Sequence, residues 1–214
     1  MSPRPRKASD EVVYAAAYRA MNRLGPGELT LAHIAEEAGV TASALVQRFG
    51  SKRELLLTLS TQMAGGTAHL FAGLRASHRS PLATLYAYAE CMAELGPTPA
   101  ALARNLSWLL VDLTDPDFKR NTQAQTRATE QEIRKLLDEA FKAGELKPIA
   151  GRRIRHGELA RLVAAVVSGS LMNWAFYEEG AAKAWIRRDL EVALAPYAPG
   201  RKGSQAHRRS RQGD

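Results

Sequence analysis

Cysteine occurs once in the 214 residues, at Cys91. No disulfide can therefore form within the chain, which fits a reducing compartment. No apolar run approaches the roughly 18 residues a membrane span needs. The first ten residues, MSPRPRKASD, are basic but lack the apolar stretch of a secretory signal. A cytoplasmic protein with no membrane partner is the expectation. Metal and catalytic signatures are equally scarce. The histidines at 33, 69, 78, 156 and 207 show neither H-x-x-x-H spacing nor a cysteine nearby in a ligand pattern. There is no G-x-S-x-G, no phosphate-binding lysine loop and no dinucleotide glycine fingerprint. No enzyme, no cofactor and no metal are expected. Cys91 falls on the apolar side of a helix and reads as an inert core thiol, with a redox sensor or nucleophile as the alternative.

Charge of one sign is also missing from most of the chain, although the formal net charge is +8. Arg4, Arg6 and Lys7 lie at one end; Arg201, Lys202, Arg208, Arg209 and Arg211 lie at the other. The residues between are close to neutral. Attraction to phosphates thus belongs to two basic ends, expected to be disordered arms, and says little about what the folded part reads.

No segment alternates as a half-buried strand does, and helical periodicity runs throughout. The expected fold is all-α with about nine helices. The most informative stretch is Leu31 to Leu57. Leu31, Ile34, Ala35 and Ala38 recur on one helical face, and Gly39 follows as a left-handed terminator. Thr41 caps a second short helix that buries Leu45 and Phe49, with Gly50 at its end. Ser51 and Glu54 then form an S-x-x-E capping box before an apolar run. Two short helices, a tight turn and a third helix make a helix-turn-helix. An earlier helix from Ser9, with Val13, Ala16, Ala17, Ala20, Met21 and Leu24 on one side, stops at Gly25-Pro26-Gly27 and packs across the pair. Thr30 caps the next helix. Opposite Leu45 and Phe49, the second short helix presents Ser43 and Gln47 flanked by Ala44 and Val46, with Arg48 at the rim. A small, polar face of this kind can approach base edges in a major groove.

These residues resemble the DNA-binding domain of the TetR family of bacterial transcriptional regulators, from about Val13 to Leu57. The most specific stretch is Leu31–Gly39, Thr41, Leu45, Phe49 and Ser51-Lys52 through Leu56. The chain departs from the family pattern at Ser43, usually Gly, at Val46, usually Tyr, and at Arg48, usually His or Tyr. Family members commonly touch phosphates with that Tyr and with the Lys at position 52; Val46 has no hydroxyl for it. The resemblance implies a DNA-facing set of Thr30, Thr41, Ala42, Ser43, Ala44, Val46, Gln47, Arg48 and Lys52, joined by Arg6 from the arm. It also implies a double-stranded DNA operator, a homodimer and a small-molecule effector, in a repressor.

Beyond the head, a helix from Lys52 to about Ser77 contains Gly65-Gly66, read as a kink, a close helix contact or a hinge. Ser80-Pro81, Thr98-Pro99 and Asp115-Pro116 each place a cap before a proline, predicting helices over 81–95, 99–113 and 116–143. Gly144 to Arg155 reads as a loop with Arg152, Arg153 and Arg155 solvated. Two more helices follow, from about Gly157 to Glu179 and from Ala182 to Tyr197. Large amphipathic side chains here, Met63, Phe71, Tyr86, Tyr88, Met92, Trp108, Phe118, Asn173, Trp174 and Tyr177, are candidates to line a ligand cavity. By the resemblance the last two helices pair with a second subunit through Leu159, Leu162, Val163, Val166, Val167, Ser170, Ile186, Leu190 and Leu194. An intramolecular core is the alternative, and Ala164, Ala165, Ser168 and Gly169 are small enough for close helix approach. The expected organisation is a basic arm (1–8), a head (9–55), a ligand-binding and dimerisation body (56–197) and a basic tail (198–214). The competing functional reading is a non-catalytic helical sensor or adaptor with only nonspecific nucleic-acid binding.

Overall fold

Side-chain caps set where most of the helices begin. The computed structural model describes residues 8–149, 151 and 155–199, and among them the regular structure is helical throughout. In chain order the helices are α1 (Asp10–Arg23), α2 (Leu31–Ala38), α3 (Ala42–Phe49), α4 (Lys52–Ser77), α5 (Pro81–Met92), α6 (Pro99–Thr114), α7 (Pro116–Lys142), α8 (His156–Tyr177) and α9 (Ala182–Leu194). The expected ends at 95 and 197 are reached by single 3-10 turns, Ala93–Leu95 and Ala195–Tyr197, rather than by continued α-helix. Thr30 accepts from the His33 amide at 3.3 Å, Thr41 from Ala44 at 3.2 Å and Ser51 from Glu54 at 3.1 Å. Ser80 and Thr98 do the same for Ala83 and Ala101, and Asp115 for Asp117, so each Pro-marked start is capped as expected. The S-x-x-E box is half formed. Ser51 caps, but the Glu54 carboxylate accepts from Arg53 Nη1 at 3.1 Å instead of from the Ser51 amide.

The α2–α3 turn depends on Gly39 at φ 67, and the α3–α4 turn on Gly50 at φ 83, values that a Cβ would strain. Two separate apolar cores result. In the head, α1 buries Val13, Ala17 and Ala20 against Ile34 and Ala35 of α2, Leu45 of α3 and Leu55, Leu56 and Leu59 of α4. Leu29 in the α1–α2 loop is also fully buried there, and Phe118 at the start of α7 closes the far side. The body core gathers Phe71 of α4, Leu85 and Tyr88 of α5, Ile133, Leu136 and Leu137 of α7, and the inner faces of α8 and α9. Only α4 supplies large parts of both. Its head contacts end at Leu59 and its body contacts begin at Thr67 and Phe71, so Gly65 and Gly66 fall between the two cores.

The glycine pair interrupts nothing: α4 runs unbroken over 26 residues. A side chain added at either glycine would meet no atom within 4 Å. No helix of the same protomer packs closely on the pair. Among the described residues, helix α8 alone is long and apolar enough to cross a membrane by length and composition. Its apolarity has a local cause: Leu159, Val163, Val167, Leu171 and Trp174 are buried inside the body. The basic arm through Lys7, Arg152, Arg153 and most of the basic tail lie outside the described residues, whereas Arg155 is exposed.

Candidate DNA-reading head and interior cleft

Helix α3 is eight residues long and would not hold its shape alone, so its geometry is imposed by its caps and by Leu45. Leu45 is buried, Phe49 leans on Tyr14 with ring centroids 5.9 Å apart, and the opposite face is open. That face carries Ser43, Ala44, Val46 and Gln47, all exposed, with Ala42 half-buried at its start. Thr41 and Ser43 share a hydrogen bond at 3.0 Å, which fixes two hydroxyls at the head of the helix. Thr30 is exposed at the start of α2.

Two charged members of the expected DNA set, Lys52 and Arg48, have partners within the protomer. Lys52 Nζ donates to the carbonyls of Leu29 at 2.7 Å and Pro26 at 3.3 Å, fastening the α1–α2 loop to the start of α4. Arg48 donates to the Ala8 carbonyl at 2.6 Å, pairs with Asp10 and lies 5.3 Å from the Phe49 ring centre. Arg19 and Arg23 both hold Glu37, at 2.9 and 3.4 Å, and the Arg19 hydrogen bond keeps the Glu37 carboxyl below its ordinary range. Arg53 grips both oxygens of Asp115 at 2.9 and 2.8 Å and reaches Asp117 at 2.6 Å. This fork raises the guanidinium's pKa, chiefly through Asp115, and lowers that of Asp115 in return. Every Lys and Arg between residues 8 and 59 therefore has an internal partner. Arg6 lies outside the described residues.

A cleft of about 280 Å³ opens where the head meets the body. Tyr18, Met21 and Asn22 of α1 form one wall; Leu56, Leu59, Ser60 and Met63 of α4 form the second. Asn105, Trp108, Val111 and Asp112 of α6 face Phe118, Thr122 and Gln125 of α7. Trp108 Nε1 donates to the Met21 carbonyl and Arg104 Nε to that of Asn22, both at 3.3 Å, so α6 is bonded to the last turn of α1. Among the described residues, Asp112 is the one carboxylate in the lining, and no Lys, Arg or His lines the cleft. Burial raises its carboxyl above the ordinary value, the Thr122 hydroxyl acting in the opposite sense.

Met63, Trp108 and Phe118, three of the expected ligand residues, meet at this cleft. The others do not converge on it. Phe71 is fully buried and stacks on Tyr88 at 4.8 Å, and burial pushes the Tyr88 hydroxyl up to about 12. Trp174 is buried with its N–H on the Gly180 carbonyl at 3.0 Å. Tyr86 lies under Arg187 at 4.9 Å, and Met92 packs on the edge of the body core. Asn173 is exposed, and Tyr177 stacks on Trp185 at the surface. The α1 wall was missed entirely, because Tyr18 and Asn22 lie off the apolar stripe that drew attention to that helix.

The expected dimer set is mostly turned inward. Leu159, Val163, Val167, Ser170, Ile186, Leu190 and Leu194 are buried within the protomer, and Ser170 donates to Asp189 at 2.7 Å across the α8–α9 seam. Val166 is half-buried and only Leu162 is exposed. The outward stripe of α8 is Leu162, Ala165, Met172 and Phe176, the last 82% exposed; α9 adds Ala184 and Val192, the latter 68% exposed.

No curated protein matches the chain at a significant level. The family model described as "Bacterial regulatory proteins, tetR family" matches residues 13–59. Among solved structures, E. coli NemR in its reduced form superposes with a TM-score of 0.70 at 15% identity, covering 88% of this chain and 97% of that one. SmeT, the repressor of the Stenotrophomonas maltophilia multidrug efflux pump SmeDEF, gives 0.64 at 21% identity, with 92% and 94% covered. Bacillus subtilis FadR in complex with stearoyl-CoA gives 0.66 at 14% identity, with 88% and 99% covered. The likeness in fold to these structures spans head and body together, and the head, residues 13–59, matches the tetR family of bacterial regulatory proteins.

Proposed function

We propose that the protein is a cytoplasmic, homodimeric transcriptional repressor that binds a roughly palindromic operator and is released from it by a small molecule. The observation that carries this reading is α3, whose open face of Ser43, Ala44, Val46 and Gln47 is held rigidly outward by Leu45 and by the Thr41 cap. Side chains this small let backbone and amide groups approach base edges closely. With Arg19, Arg23, Arg48, Lys52 and Arg53 engaged internally, sequence-independent attraction to phosphates falls to the two basic ends, Arg4, Arg6 and Lys7 at one and Arg201, Lys202, Arg208, Arg209 and Arg211 at the other, and to the helix N-termini. The outward apolar stripes of α8 and α9 support pairing with a second copy, which would set two α3 helices about 34 Å apart on one face of the duplex.

The cleft is the effector site in this reading, since it touches α1, α4, α6 and α7 at once. One relative was solved with stearoyl-CoA. Acyl-CoA carries several phosphates, and a lining with one carboxylate and no base suits a different class. Selection of genomic DNA fragments on the full-length protein at about 0.15 M salt tests the proposal. Recovered fragments sharing a two-fold sequence, bound far more tightly than their scrambled versions, support it. Equal affinity for both would leave the adaptor reading in its place.

A further inference from the structure

We infer that the cleft takes a small amphiphile with a cationic nitrogen, its apolar body lying along Leu59, Met63, Trp108 and Phe118 and its ammonium or amidinium set against Asp112. The inference rests on the cleft being the effector site. It concerns what enters there and what that ligand pushes.

The chemistry follows from the lining. Among the described residues Asp112 is the one charged side chain there and belongs to no ion pair, and it is half-buried. The other carboxylates at the head–body boundary are committed: Asp115 and Asp117 to Arg53, and Glu54 to the same guanidinium. A carboxylate drawn partly out of water without a counter-charge is destabilised, and burial accordingly raises its pKa. A cation arriving from solvent supplies the missing partner. An anion would meet a like charge with no base to offset it. Neutral polar groups complete the site. The Asn105 amide N–H is bonded to the Leu95 carbonyl, which leaves its Oδ1 as an acceptor, and the Gln125 and Asn22 amides can take a second donor from the ligand. The volume of about 280 Å³ sits just under the ~300–1,000 Å³ range of drug-sized sites, so one aromatic ring with a short chain is the appropriate scale.

The position also defines how occupancy is felt. Helix α1 is a wall of the cleft and a member of the head core, through Met21 on one side and Val13, Ala17 and Ala20 on the other. A ligand seated against Trp108 presses on the Trp108–Met21 hydrogen bond, one of the two direct ties between α6 and α1. The head is then displaced through α1 as well as along α4.

The test is isothermal titration of the full-length protein with three probes of one shape, 4-phenylbutylamine, 4-phenylbutanol and 4-phenylbutyrate. The amine is expected to bind at least about 10-fold more tightly than the alcohol, the scale of a charge-assisted hydrogen bond, and the butyrate most weakly. Asp112→Asn should bring amine and alcohol to within about 2-fold, a loss far larger than the scatter of a surface substitution. Met63→Trp, which narrows the cleft without touching Asp112, should abolish amine binding. Butyrate binding as tight as the amine, an amine preference that survives Asp112→Asn, or amine binding unaffected by Met63→Trp would each overturn the assignment. Release of operator DNA is read separately. An amine that binds with the Asp112-dependent preference supports the site even where the DNA stays bound, and in that event the effector-release reading is what fails.

Discussion

Replacing Leu45 by alanine strikes the one buried side chain of α3 and leaves its DNA-facing side untouched. Leu45 is 1% exposed and packs among Val13, Ile34 and Leu55, so truncation removes apolar burial and opens a cavity. Such changes cost about 2–5 kcal/mol, with the upper end where surrounding backbone cannot collapse inward. Here α3 is eight residues tied by two glycine turns, and its partners belong to longer helices. Collapse is therefore restricted, and a value in the upper half of the range is expected. At 1.4 kcal/mol per decade, about 3.5–5 kcal/mol corresponds to roughly a 300- to 4,000-fold rise in local opening. Native-state hydrogen exchange reads this amide by amide. Protection should fall by that factor across α2 and α3 while Ile133–Ala140 of α7, in the separate body core, keeps its own. Specific DNA binding should be lost in parallel. Equal loss of protection in head and body would show that the two cores unfold as one, and no loss in α3 would show that Leu45 does not anchor it. Either result refutes the reasoning.

Gln47→Ala should weaken operator binding about 5- to 150-fold, the 1–3 kcal/mol of one good base contact, and leave scrambled DNA unaffected in a filter-binding titration. Replacing Arg4, Arg6 and Lys7 together by alanine should weaken both kinds of DNA alike and flatten the plot of log affinity against log salt by about 0.9 per lost phosphate contact, near 2.7 per subunit. Burial raises the Asp112 carboxyl above 3.8, so folding disfavours its ionised form and the wild type loses stability as pH climbs from 3.8 through the raised value. Asp112→Asn, which cannot ionise, should therefore melt at or above the wild-type temperature at pH 7, with the difference vanishing below pH 3.8. Phe176→Asp places a charge at the C-terminal end of the outward α8 stripe, on its most exposed member, and should give a monomer by sedimentation at concentrations where the wild type is dimeric; an unchanged dimer would move the interface elsewhere.

Local chemistry was readable and long-range partnership was not. Ser80-Pro81, Thr98-Pro99 and Asp115-Pro116 announce their helices because cap and proline act within one turn, and the structure begins a helix at each. Gly39 and Gly50 mark the head's turns for the same reason. Periodicity tells which residues share a face, but not what covers it. Leu159, Val163 and Ile186 form the expected stripes, yet their cover is the partner helix of the same protomer. Phe71 and Tyr88 have the size and polarity of pocket residues, but each is the other's neighbour. Lys52 and Arg48 have the chemistry to hold phosphates, yet they bind the carbonyls of Leu29 and Ala8, 23 and 40 residues distant. Leu29 and Leu146 are buried although each stands alone in a loop with no repeat to announce it. The cleft was half visible, through Met63, Trp108 and Phe118, because its α1 wall joins a helix read only for its role in the head.

The Lys52 ammonium has a mechanical consequence. By holding the Pro26 and Leu29 carbonyls it welds the first turn of α4 to the loop that launches α2. Whatever α4 transmits reaches α3 as rotation of a solid piece, because the joint that could have absorbed it is closed. From Gly65 back to Lys52 is a lever of about 20 Å at 1.5 Å per residue, so a tilt of ~10° at the glycine pair swings the head by roughly 3 Å. In a dimer that swing is doubled between the two reading helices. A lysine bonded to two backbone carbonyls thereby sets how faithfully an angle in the body becomes a displacement of the head.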